Sequence, residues 1–431
     1  MRGAGLSFEQ APPVSIPLRF FFAAPFFGML AGLVLIFDGE TLFMSRWSAP
    51  ALALTHLMTA GYMLQIMVGA LFQVLPVAGG GVLRGQGALA AVLQPVLVGG
   101  ACALAAAFMF EWSAGYLLGA VAFSAGLGLM VVSVFVALWG SEAAGATLTG
   151  LRIALCALAV TVGLGAVMAL ARAGLLSTGW LAQVDLHVGW GLGGWGLVLL
   201  ASVTWLVVPM FLQTKPYPPR FARGFAPALG AVLLAASTGL IDLGAMTVML
   251  AAGGALFACV TLELLRRRQR AATNAIGRFW MLAMLSLLVA AVLSMIETLS
   301  PGHAQPVLLA GVLMLGGVSM SLLIGMLYKI VPFILWLKLR NDYRKVPSMN
   351  QFIGEPAQMR HFRLHLAMLV ALAPAPWWSP LAVLGGFLML ASSALLLANL
   401  AGALQTLRTF NAGVKAAMGA ASPPNPASEP Q

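Results

Sequence analysis

Twelve apolar runs follow one another along the chain, and they constrain its fold more than any other feature. Each run is about 20 residues long or longer, which is what an α-helix needs to cross a hydrocarbon core roughly 30 Å thick. The sequence therefore predicts an all-α integral membrane protein with about twelve transmembrane helices, spans one to twelve. The runs occupy residues 17–38, 49–77, 87–109, 114–140, 149–172, 182–212, 224–241, 244–265, 279–297, 304–337, 362–379 and 380–404.

The composition excludes a soluble globular protein. Of the 431 residues, 61% are hydrophobic and only 8% are charged, whereas ordinary globular domains are about 25% charged. The chain divides into an N-terminal segment (1–16), a membrane domain (17–404) and a tail (405–431) that we expect to be largely disordered. No small-residue cleavage pattern follows the first apolar run, so we expect that span to be retained. The lipid bilayer is the first predicted partner.

The net charge of +11 is explained by the loops between spans and does not indicate a nucleic-acid partner. Loops that follow even-numbered spans hold sixteen Lys and Arg residues, whereas loops that follow odd-numbered spans hold only Arg46 and Arg172. By the positive-inside rule, the even-numbered loops and both termini are cytosolic. The sequence thus predicts a multi-pass protein of a bacterial-type inner membrane.

A threefold internal repeat emerges when the prolines near the ends of spans two, six and ten are superimposed. Each copy has two small residues eight positions apart, an aromatic residue three positions later and a proline after four more. Small residues let a neighbouring helix or a flat ligand come close. Copies four spans apart predict three four-helix arcs with pseudo-threefold symmetry. The copies are Gly61, Gly69, Phe72 and Pro76; Gly194, Ser202, Trp205 and Pro209; and Gly317, Gly325, Tyr328 and Pro332.

This arrangement resembles the catalytic subunit of the haem-copper oxidases. In sequence, the resemblance depends on THLMTAGYMLQIMVGALFQVLP (55–76), DLHVGWGLGGWGLVLLASVTWLVVPMF (185–211) and GVLMLGGVSMSLLIGMLYKIVPF (311–333). The chain is also similar to the twelve-span haem- and copper-containing proteins linked to nitric oxide responses. The resemblance implies twelve spans with both ends cytosolic, haem as a cofactor, and copper as a second candidate.

The resemblance makes three histidines candidate cofactor-binding residues. The second span of the oxidases carries an axial histidine of the low-spin haem, and His56 matches it by span and depth. The sixth span supplies a copper ligand, and His187 lies in that span. His303 lies just before span ten at the same predicted depth, and it is a candidate for the other side of a haem. Counted from the repeat prolines, His56 and His187 differ by about 200° around a helix, so they need not bind the same group.

The chain also departs from the oxidase pattern. Span seven lacks the adjacent histidine pair that holds copper, and span ten lacks the two histidines that each bind a haem. The sequence therefore contains no complete haem-copper centre. The histidines that are present are compatible with two sites of the oxidase type: one haem with His56 as an axial ligand, or one copper or haem iron at His187. A hydrogen-bonded packing role is the alternative for each of these histidines.

Two further histidines, His361 and His365, lie at the predicted cytosolic start of span eleven. Their i, i+4 spacing suits a metal ion, but the neighbouring Arg360 and Arg363 favour a solvated basic interface. No Walker, GxSxG, HExxH or CxxCH sequence occurs elsewhere in the chain. The sequence assigns no catalytic residue and identifies no metal.

Two functions from different classes remain. In the first, the chain is a haem- or metal-binding inner-membrane protein in electron transfer or in the handling of nitric oxide or another small gas, with an electron-donor protein as its partner. In the second, it is a twelve-span transporter or channel without a redox cofactor. A parallel threefold repeat favours the first, because transporter repeats more often number two. A metal-free structural descendant of the oxidase fold is a third interpretation.

Overall fold

The computed structural model describes residues 12–78, 81, 83–139, 145–177, 179, 181–268 and 274–420. The regular structure of this part of the chain is helical. It contains twelve long helices, which are numbered in chain order: α1 (Ser15–Met44), α2 (49–78), α3 (Gln86–Phe110), α4 (Ser113–Trp139), α5 (Ala146–Arg172), α6 (181–212), α7 (Pro219–Ser237), α8 (Leu243–Arg266), α9 (Ala275–Leu299), α10 (Ala304–Asp342), α11 (Glu355–Leu372) and α12 (Leu381–Ala420).

Each predicted apolar run overlaps one of these helices, although the eleventh run (362–379) extends past the end of α11 at Leu372. A helix bonds its own backbone polar groups where lipid offers them no partner. Ten of the described helices are long and apolar enough to cross a membrane. The shorter α7 and α11, which carry arginines, are not among those ten. The predicted all-α membrane protein is therefore confirmed at this level.

The predicted N-terminal segment and the predicted tail are only partly described by the structure. Helix α12 continues to Ala420, beyond the predicted end of the membrane domain at residue 404. The last residues of the predicted disordered tail, 421–431, lie outside the described residues, as do residues 1–11 of the N-terminal segment.

Connections between consecutive helices alternate between the two ends of the bundle, because neighbouring helices joined by short loops run antiparallel. The end with the connections after even-numbered helices is called the basic end, since the arginine- and lysine-rich loops belong to it. The other end is called the opposite end. The connection from 45 to 48 and Arg172 at the end of α5 lie at the opposite end.

Helices α2, α6 and α10 each contain a π-helical segment, in which the backbone is wider than in an α-helix. The segments are Leu57–Met63, Gly189–Val198 and Leu313–Met320. They begin 19, 20 and 19 residues before the repeat prolines Pro76, Pro209 and Pro332. A repeated sequence pattern therefore coincides with a repeated backbone distortion, and such distortions are frequent at functional sites.

The small residues of the repeat are contact points between helices. A Cβ atom added to the first small residue of each copy would collide with a side chain of the first helix of the same predicted arc. The pairs are Gly61 with Phe27, Gly194 with Ala157, and Gly317 with Ser286. The second small residue of each copy meets the same helix seven positions earlier, in the pairs Gly69 with Phe20, Ser202 with Gly150, and Gly325 with Phe279.

The outer helices meet in a regular order. Helix α4 packs on α5, α8 packs on α9, and α12 packs on α1, which joins the two ends of the chain. Helices α2 and α10 contact each other through their π-helical segments in the interior. The space between α2 and α6, near the opposite end, contains the candidate site.

Candidate functional site

A cavity of about 260 Å³ lies among α2, α3, α4, α5 and α6. Most of its lining is aliphatic or aromatic, and both His56 and His187 line it. The exposed Arg172 lies at its outer edge. Deeper in the bundle, Met63 of α2 lies close to Gly196 of α6. The structure therefore brings together two of the three histidines that the sequence selects.

His56 ends the first α-helical part of α2, directly before the π-helical segment. Its Nδ1 lies 2.8 Å from the carbonyl oxygen of Leu52. A carbonyl oxygen only accepts hydrogen bonds, so Nδ1 carries the proton and Nε2 of the neutral ring carries the lone pair. The Phe108 ring of α3 stacks on the imidazole, with centroids 4.8 Å apart and planes 26° apart. Both the tautomer and the ring direction are thus set, as metal-ligating histidines require.

His187 of α6 is held in the same way by a different helix. Its Nδ1 lies 3.0 Å from the carbonyl oxygen of Thr161 on α5, so this ring also keeps Nε2 as its acceptor nitrogen. The Thr161 hydroxyl donates to the carbonyl of Ala157 at 2.7 Å and is engaged within its own helix. Gly165 leaves space for the ring, because a Cβ atom there would lie 3.0 Å from Cε1 of His187.

The predicted difference in direction between His56 and His187 is explained by the position of the cavity. Helices α2 and α6 occupy corresponding places in the repeat, and the cavity lies between them. A side chain on α2 and a side chain on α6 must therefore turn in opposite senses to face it. The structure places both histidines on one cavity, whereas the sequence left open whether they bind the same group.

His303 lies apart from this cavity. It precedes α10 in a loop, its side chain is 60% exposed, and its Nδ1 lies 3.1 Å from the carbonyl oxygen of Ser300. Its backbone N–H donates to Glu297 at 3.2 Å. The structure does not bring His303 together with His56 and His187.

His361 and His365 of α11 are fully buried, so the predicted solvated basic interface is wrong for these two side chains. Arg360 and Arg363 lie on other faces of the same helix, because residues one and two positions away point about 100° and 200° around it. His361 and His365 are bonded to hydroxyl groups of α10 and α12.

Arg172 is a charged residue at the edge of the cavity that the sequence analysis did not select as a candidate. Its guanidinium lies 5.8 Å from the centroid of Phe108, the ring that stacks on His56, and 6.0 Å from that of Tyr116. Arg46 lies 4.7 Å from the ring centroid of Trp47, which also lines the cavity. A sequence signal existed, since these are the two basic residues in the loops after odd-numbered spans.

The described residues contain no group of three or more His, Cys, Asp or Glu side chains that could hold a metal ion. The three cysteines, Cys102, Cys156 and Cys259, are free and lie on the outer surface. No protein-family model matches the chain, and no curated protein matches it.

Proposed function

We propose that the chain is a haem-binding protein of a bacterial-type inner membrane, related to the catalytic subunit of the haem-copper oxidases but without a complete haem-copper centre. The haem occupies the cavity among α2 to α6, with His56 and His187 as its candidate ligands. The matched geometry of these side chains carries the proposal. Both line one cavity, both have Nδ1 bonded to a backbone carbonyl, and both keep Nε2 for a ligand.

Haem fits this set of donors better than a bare metal ion does. A protein-held copper or zinc ion needs three or four protein ligands, and the described residues offer no such group. Haem brings its own ring nitrogens and needs only axial ligands from the protein. The largely apolar lining also suits the faces of a porphyrin.

Haem supplies one-electron chemistry and an iron atom that can bind a small gas. The carbonyls of Leu52 and Thr161 hold the two imidazoles in position, while Phe108 and the other apolar walls exclude water. The proposed role is electron transfer, or the handling of nitric oxide or another small gas. An electron-donor protein is the proposed partner at the opposite end, which the cavity reaches at Arg172.

Three four-helix arcs of twelve spans are the proposed architecture. Two observations support it. The π-helical segments begin at nearly the same distance before the repeat proline in all three copies, and the small residues of each copy contact the first helix of the same arc. The three junctions between arcs, α4 with α5, α8 with α9 and α12 with α1, are equivalent in this scheme. Helices α7 and α11 are included as spans because each connects two helices that run in the same direction.

The basic end is proposed to face the cytosol, with both termini on that side. The excess of Lys and Arg in the even-numbered loops supports this orientation. The cavity and its histidines then lie toward the periplasmic face, at the depth where the oxidases bind haem.

Gly165→Val is expected to displace the imidazole of His187, because the added side chain would begin 3.0 Å from Cε1 of that ring. We expect haem occupancy to fall at least tenfold, in line with the roughly 10–100-fold effects of disturbing groups that orient metal ligands. Gly163→Val is the matched control on the same helix, since no atom lies within 4 Å of a Cβ at Gly163. Haem-to-protein ratios of the purified variants measure the effect, and equal ratios would contradict the assigned contact.

Arg172→Gln is expected to weaken the binding of a haem that carries free propionate groups. An arginine at the cavity edge favours carboxylates through charge-assisted hydrogen bonds. We expect the dissociation constant for protohaem to rise at least tenfold, about 1.4 kcal/mol, while that for its dimethyl ester stays unchanged. Arg152→Gln, on the same helix at the basic end, is the control. Equal losses for both haems would show that Arg172 does not contact a carboxylate.

The proposed function is tested by the visible spectrum of the purified protein, oxidised and dithionite-reduced, together with metal analysis. A reduced α-band with stoichiometric iron is expected. A colourless, iron-free preparation from haem-replete cells would reject the haem proposal. The cofactor-free transporter or channel would then be the leading interpretation.

A further inference from the structure

A chain of hydrogen bonds connects α10, α11 and α12 inside the bundle, away from the cavity. The Tyr328 hydroxyl lies 2.5 Å from Nδ1 of His361, and the amide nitrogen of Asn399 donates to the same hydroxyl at 2.7 Å. Nε2 of His361 lies 2.8 Å from the hydroxyl of Ser392. Tyr328, His361 and Ser392 are at most 1% exposed. These four residues form what we call the relay.

The direction of each hydrogen bond in the relay is fixed by its chemistry. The amide nitrogen of Asn399 can only donate, so it occupies an acceptor position on the Tyr328 oxygen. Tyr328 then donates its single proton to Nδ1 of His361. The neutral imidazole carries its own proton on Nε2 and donates it to Ser392. The relay is therefore a continuous donor-to-acceptor chain from Asn399 to Ser392.

The relay spans about a third of the membrane. At 1.5 Å per residue along α12 from its start at Leu381, Ser392 lies about 17 Å and Asn399 about 27 Å from the opposite end. With a hydrocarbon core roughly 30 Å thick, Asn399 lies near the basic end and Ser392 near mid-membrane. One turn beyond His361 on α11, Nε2 of His365 lies 2.8 Å from the hydroxyl of Ser321, in a separate hydrogen bond between α10 and α11.

Groups of this kind are costly inside a membrane, and they usually mark a pathway for ions or protons. Two more buried hydroxyls, of Tyr62 and Ser393, have no hydrogen-bond partner among the described residues. A Cβ atom at Gly28 of α1 would collide with the Ser393 hydroxyl and would lie 3.4 Å from ring carbon Cδ2 of Tyr62, so these two side chains approach each other where α1, α2 and α12 meet. Unpaired buried hydroxyls are sites where internal water binds.

We infer that the relay transfers protons between the basic end and the middle of the membrane. An internal water delivers a proton to the Tyr328 oxygen, the phenolic proton moves to Nδ1 of His361, and the imidazole releases its Nε2 proton to the Ser392 oxygen. Ser392 then passes its own hydroxyl proton to a second internal water, while Asn399 only holds the Tyr328 hydroxyl in place. One proton enters and one leaves, no bond other than O–H and N–H bonds changes, and no electron moves. The inference does not depend on haem binding.

The test follows the Nε2–H of His361 by proton-detected solid-state NMR, using the full-length protein with 15N-labelled histidine in lipid vesicles. His361→Gln identifies the signal. After transfer to D2O, the signal of the unaltered protein is expected to disappear within an hour. In Tyr328→Phe, which removes only the hydroxyl, exchange is expected to be at least tenfold slower. Ser321→Ala, which alters the neighbouring His365 contact, is expected to exchange at the unaltered rate.

Two results would overturn the inference. One is a signal that persists in the unaltered protein as long as the backbone amides of α10, which would mean that the cluster is sealed packing. The other is equal exchange in Tyr328→Phe and the unaltered protein, which would mean that protons reach His361 without the Tyr328 hydroxyl. Ser392→Ala gives a second reading if Tyr328→Phe does not fold, and it is expected to slow exchange at Nε2 for the same reason.

Discussion

His56→Ala is expected to abolish the reduced α-band of the purified protein and to lower its iron-to-protein ratio at least tenfold. The variant removes an imidazole that is already oriented by the Leu52 carbonyl and by the Phe108 ring. A ligand held in this way loses little conformational freedom when it binds iron, so its removal costs more than the loss of a mobile ligand. Difference spectra and iron analysis of the variant beside the unaltered protein measure the effect.

Free imidazole makes the His56 prediction specific. His56→Ala leaves a space next to Phe108 on the cavity wall, and imidazole added to the purified variant is expected to restore the band. His303→Ala is the matched control, because His303 is an exposed loop histidine apart from the cavity. Retention of the band in His56→Ala would exclude His56 as a ligand. Loss of the band in His303→Ala would mean that the cavity is not the haem site.

The helices were predictable because lipid imposes a simple rule on sequence. A span must be apolar for about 20 residues, and its backbone must bond to itself. The repeat could also be detected in the sequence, since close contacts such as that between Gly61 and Phe27 require a small residue at a fixed distance from the proline. The π-helical segments could not be predicted, because hydrophobic periodicity and residue spacing carry no signal for an i to i+5 backbone bond.

The shared cavity of His56 and His187 depends on which faces of two helices meet. A sequence places each residue around its own helix, but the facing of α2 and α6 is set by packing among five helices. Only the structure shows that the two histidines line the same cavity. Thr161 and Gly165 could not be linked to His187 for the same reason, since they belong to a different helix.

The burial of His361 and His365 could have been predicted from the sequence of α11. Buried residues recur along that helix at three- and four-residue intervals, at Gln358, His361, His365, Met368, Leu369 and Leu372. This spacing marks one inward face. Arg360 and Arg363 fall outside it, so their charge indicates where the other faces lie.

The contact between the first and last helices is expected to be the least tolerant of added volume. A Cβ atom at Gly32 of α1 would lie 2.8 Å from the carbonyl oxygen of Gly386 and 2.9 Å from the backbone nitrogen of Leu390, both on α12. Backbone atoms cannot turn aside as a side chain can. Gly32→Val is therefore expected to cost at least about 3 kcal/mol, the upper end of ordinary overpacking.

Size-exclusion chromatography and thermal unfolding of the detergent-solubilised variants measure this cost. Gly32→Val is expected to lose most of its monodisperse peak or to unfold at a lower temperature, whereas Gly99→Val is expected to match the unaltered protein, because no atom lies within 4 Å of a Cβ there. Gly386→Val should resemble Gly32→Val, since its Cβ would lie 2.6 Å from the carbonyl oxygen of Gly32. Because both changes separate the same two helices, the double variant should be little worse than either single one. Fully additive losses would mean that the two glycines act at independent contacts, and the closure of the bundle through α1 and α12 would then need another explanation.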